Sequence, residues 1–78
     1  MKTFKEAIEL LRDLHDACGD RQAIDICYDE MKIAVEDYTS FEDWRSDLHT
    51  RTDISVDQQH EMDCHETSFA ILFALMGK

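Results

Sequence analysis

The chain has no proline and only two glycines, Gly19 and Gly77, in 78 residues. Two isolated glycines cannot build a phosphate-cradling loop, so that route to nucleotide binding is excluded. With so few chain breakers among many helix formers, the sequence predicts helices joined by short turns. Cysteine is scarce too: Cys18, Cys27 and Cys64 are an odd number, and Lys2 and Lys5 lead into an amphipathic pattern, not an apolar leader. Reduced thiols and a cytoplasmic location are therefore expected. The most apolar run, 69–76, falls well short of the roughly 20 residues of a spanning helix, so no membrane insertion is expected.

Basic side chains are also few. Eight Lys and Arg face eighteen Asp and Glu, for a net charge of −10. Residues 1–12 carry three bases and two acids, so the acidity belongs to the remaining 66 residues. Such a surface repels nucleic acid and anionic membrane, and its natural partners are proteins with basic surfaces. Hydrophobic residues make up 44% of the chain, too many for disorder. A single domain of residues 1–78 is expected. At this length it buries only about 60% of its unfolded surface, so a second copy would help to stabilise it.

The pattern predicts a compact all-α bundle of four helices, approximately 4–18, 21–38, 41–49 and 56–76, with the third short. Thr3-x-x-Glu6 is a capping box that opens the first, and Gly19 provides its left-handed terminus. Phe4, Ala7, Ile8, Leu11, Leu14 and Cys18 form its inward stripe. Asp20 is the expected N-cap of the second helix, whose stripe is Ile24, Cys27, Tyr28, Met31, Val35 and Tyr38. Ser40 caps the third helix, which turns Phe41, Trp44 and Leu48 inward. Ser55-x-x-Gln58 is a second capping box, and the fourth helix is amphipathic until Phe69 and apolar all round beyond it.

No catalytic set can be assembled. Cys64 and His65 are neighbours that point about 100° apart on a helix, so they cannot pair as nucleophile and base. The chain is accordingly expected not to be an enzyme and to need no cofactor. Asp57-x-x-His60 and Glu61-x-x-x-His65 depart from the Glu-x-x-His of bundle di-metal centres. The lone His15-Asp16 dyad is too common to define a hydrolase. One metal arrangement is worth stating as an alternative to the metal-free expectation. His15 and Cys18 lie three apart, His60 and Cys64 four apart, and two antiparallel helices in register would join them as a Cys2His2 zinc site.

The surface carries the remaining signal. Asp25, Asp29 and Glu36 form an acidic strip on the second helix, continued by Asp37 and then by Glu42, Asp43 and Asp47. Carboxylates three or four residues apart on a helix lie about 5–6 Å from one another. Phosphates recur every ~3.4 Å along a DNA strand, so these acids can imitate a short stretch of backbone. Ile26 and Ile33 on the second helix, with Met62, Phe69, Phe73 and Met76 on the fourth, form apolar faces expected to meet a partner or a second copy of the chain.

The favoured function is that of a small acidic binding protein that inhibits or regulates a basic, nucleic-acid-handling target. In size and charge alone, the chain is similar to the small anionic proteins that bacteriophages make against host restriction, CRISPR or transcription machinery. No motif ties it to a family. The alternatives are a helical dimerisation or adaptor module that binds through its apolar faces, and a zinc-stabilised helical domain.

Overall fold

A computed structural model describes residues 2–19 and 22–78. Among these residues the fold is entirely helical, with five helices: α1 (Phe4–Ala17), α2 (Gln22–Asp37), α3 (Phe41–Leu48), α4 (Val56–Cys64) and α5 (Glu66–Leu75). α1 packs on α2 and α5, and α5 also meets α2 and α3. The last helix is thus the element around which the others assemble.

The local signals at the helix ends act as their chemistry dictates. Thr3 Oγ1 accepts from the Glu6 amide at 3.2 Å, while the Glu6 carboxylate accepts from the Thr3 amide at 3.2 Å. Ser55 and Gln58 make the same reciprocal pair at 3.1 and 2.8 Å. Ser40 Oγ accepts from the Asp43 amide at 3.2 Å. Each cap satisfies amides that the first helical turn leaves without partners. Gly19 closes α1 with φ of 78°, a conformation that a Cβ would oppose. The expected Asp20 cap lies outside the described residues.

The expected single helix over 56–76 is two. At His65 the backbone reaches φ −110° and ψ 21°, and its amide donates to Met62 O at 3.1 Å, a tightened turn that separates the two helices. The pattern gives the reason. α4 is polar and places only Met62 in the core, whereas α5 is apolar and must turn into the middle of the molecule.

The core draws on every helix. Ala7, Ile8 and Leu11 meet Ile24, Cys27, Met31, Ala34 and Val35, with Trp44 and Leu48 beside them and Met62, Phe69, Leu72 and Phe73 completing the centre. The Trp44 indole stacks on the Phe69 ring at 4.1 Å and 12°, fixing α3 against α5. Met62, Phe69 and Phe73, expected on a face left for a second chain, are instead buried within this one, and Met76 packs half-buried against them. At 100° per residue these four fall within about 60° of one another, so they form a single stripe, and that stripe is the one turned into the core.

Three polar ties join distant segments. Ser68, buried on α5, lies 2.7 Å from His15 Nε2 on α1. Lys78 donates to the Val35 carbonyl, tying the C-terminal end to α2. Arg51, whose side chain is only 11% exposed, reaches Glu30 on α2 at 3.0 Å and grips Asp53 with two donors at 2.9 and 2.8 Å. That guanidinium anchors the 49–55 connection to the bundle.

Candidate partner-binding face

α2 turns Ile24, Cys27, Met31, Ala34 and Val35 inward. The 100° repeat therefore sets Asp25, Asp29, Glu36, Ile26 and Ile33 on its outward side. All five are exposed, Ile26 at 60% and Ile33 at 39%. The apolar pair and the acidic strip, expected as separate faces, lie side by side on one surface. Asp37 extends it to the end of the helix. The chain then turns through Tyr38, Thr39 and Ser40 into α3, which presents Glu42, Asp43 and Asp47 to solvent.

Hydroxyl groups hold the acids at this corner, with a weaker attraction from Arg51 at Asp47. Tyr38 donates to Asp47, and Thr39 donates to Asp43. Thr50 adds a hydroxyl bond to Asp47 at 3.0 Å. The Tyr38 and Thr50 donors hold the Asp47 carboxyl below the usual carboxylate range. Conversely, donation to Asp47, then burial, pushes the Tyr38 phenol up to about 12. The corner thus keeps its negative charge and a fixed shape together.

Ion pairing shows the same bias. Arg12 meets Asp25 at 3.4 Å, Arg45 meets Glu66 at 3.4 Å, and Arg51 takes Glu30 and Asp53. Among the described residues, Asp29, Glu36, Asp37, Glu42, Asp43 and Asp47 have no ion pair. Among the described residues, Arg45 and Arg51 pair outside this face, and Arg12 takes only Asp25 at its start.

The proposed zinc tetrad does not assemble. His15 is half-buried against Ser68, and Cys18 is exposed at the end of α1. His60 and Cys64 are exposed together on α4, with Nε2 and Sγ 3.6 Å apart. Three of the four expected inward ligands therefore face solvent, and among the described residues no group of three or more metal-binding side chains forms. Buried Cys27 is a different thiol: desolvation, reinforced by Glu61 and Glu30, pushes it up to about 11, so it stays protonated and inert.

Two features are not legible in the sequence. Leu14, placed on the inward stripe of α1, is 52% exposed and lines an apolar groove with His15, Cys18 and Ile71. Its position depends on where α5 crosses α1, which periodicity does not specify. The Arg51 clamp joins residues 21 apart in sequence, and no local pattern announces it. Among the described residues no helix is long and apolar enough to cross a membrane. No family model, curated protein or solved structure matches the chain.

Proposed function

We propose that this is a small acidic binding protein that inhibits or regulates a basic, nucleic-acid-handling target by occupying the groove that would otherwise hold nucleic acid. The observation that carries this reading is the uncompensated charge. Six exposed carboxylates on α2 and α3 have no ion pair among the described residues, while Arg12, Arg45 and Arg51 pair with other acids. Asp25 to Glu36 spans about 16 Å of helix axis, comparable with five or so phosphates along a DNA strand. Ile26 and Ile33 lie among those acids and supply the desolvated anchors that slow release, while the charge speeds encounter.

The test is retention of a basic target at low salt, followed by challenge with duplex DNA and with salt. A nucleic-acid mimic is displaced by the duplex. It also releases its target at about 0.5 M salt, where the screening length falls to roughly 4 Å. Binding that survives both treatments would sink the proposal.

The adaptor reading has its own support in the exposed pair Ile26 and Ile33. It predicts that serine at those positions abolishes binding while charge reversal on α2 leaves it intact. The mimic reading predicts the opposite ranking.

A further inference from the structure

His60 and Cys64 occupy successive turns of one exposed face of α4, with Nε2 and Sγ 3.6 Å apart. In a tetrahedral zinc site with Zn–S of about 2.3 Å and Zn–N of about 2.05 Å, a sulfur and a nitrogen ligand lie about 3.6 Å from one another. The pair therefore already has the separation of two ligands on one metal ion. Asp57, exposed one turn earlier on the same helix, adds negative charge that favours a cation nearby. Glu61 is directed to His65 at 3.3 Å and does not complete the set.

We propose that His60 and Cys64 form half of a zinc site that a second copy of the chain completes, two copies together supplying Cys2His2. Structural zinc takes four protein ligands, and among the described residues of one chain no third ligand joins the pair. A two-fold axis through the ion brings an identical pair from the partner copy, the self-complementary contact of a symmetric dimer. Each His60 binds as the neutral imidazole through Nε2, and each Cys64 thiol releases its proton to solvent, so one zinc displaces two protons. The two thiolates neutralise the ion's two charges. Screening at physiological ionic strength, with a Debye length of about 8 Å, limits the repulsion between two acidic chains.

The experiment is native mass spectrometry and size-exclusion chromatography of the reduced protein with half an equivalent of zinc per chain. Cobalt is the spectroscopic substitute. The expected result is a dimer holding one zinc, reversed by chelator, with a thiolate-to-cobalt charge-transfer band and the intense d–d bands of tetrahedral cobalt. His60→Ala and Cys64→Ser each eliminate the dimer and these bands, and Cys18→Ser leaves both intact. All three positions are at the surface, and unchanged thermal melts of the metal-free variants confirm that folding is not the cause. A chain that remains monomeric with zinc overturns the proposal. So does a dimer that persists in chelator, or one that survives Cys64→Ser, and so does zinc bound at one per monomer.

Discussion

The 49–55 connection and the α2–α3 corner both bind carboxylates and handle them in opposite ways. In the first, one guanidinium collects Glu30 and Asp53 and draws the chain onto α2. In the second, Tyr38, Thr39 and Thr50 offer only hydroxyl groups to Asp47 and Asp43, while Glu36, Asp37 and Glu42 receive no cation among the described residues. A neutral donor orients a carboxylate without cancelling its charge. The contrast separates acids that hold the fold from acids whose charge is left exposed.

Removing the guanidinium is the strongest way to break this contrast. Arg51→Ala strips two carboxylates of charge-assisted bonds and should cost about 2–3 kcal/mol, read from urea denaturation. A variant as stable as the parent would show that the clamp is ornamental. Reversing charge at the other region should do the reverse. Asp29→Lys with Glu36→Lys should weaken binding of a basic target more than roughly tenfold, with folding stability changed by no more than about 0.5 kcal/mol. Equal losses in binding and stability would erase the distinction between the two regions.

The hydroxyl-held corner has a pH signature. The phenol of Tyr38 is raised to about 12 in the folded chain, so its contribution is complete below the unfolded value of about 10 and is lost as pH climbs between them. Asp47 and Asp53 are depressed, so theirs is present above the ordinary aspartate value and lost as pH falls through the folded one. Tyr38→Phe should abolish the alkaline limb and leave the acid limb of Asp53 in place. A melting profile between pH 9 and 12 that is identical in the variant would count against the Tyr38–Asp47 bond. The mildest expected effect is that of salt. Screening relieves repulsion among the uncompensated acids, so Tm should rise by a few degrees on going to 0.15 M NaCl. A Tm that falls instead would mean that ion pairs such as Arg12–Asp25 outweigh that repulsion.

The helix ends could be read from the sequence because each is written within four residues. Thr3 with Glu6, Ser40 with Asp43, Ser55 with Gln58 and the left-handed Gly19 all act locally. The exposed acids and the outward Ile26 and Ile33 followed from the same periodicity. What periodicity could not give was the relation between helices. The break at His65 has no glycine or proline to mark it, and periodicity does not say which stripe of 56–76 meets the core. Stripe alone places Cys18, His60 and Cys64 inward, yet the packing of the helices leaves all three at the surface. The His60–Cys64 pair survived because its spacing lies within one helix.

The stacking of Trp44 on Phe69 gives the molecule a built-in optical gauge. It is the only tryptophan, 1% exposed, and it joins α3 to α5 across 25 residues of sequence. Its emission therefore rises from no local helix formation, since a solitary α3 leaves the indole wet. Fluorescence shifts to the blue only when the last helix has docked, so refolding followed at this one chromophore times the closing of the whole chain, while circular dichroism times its coiling.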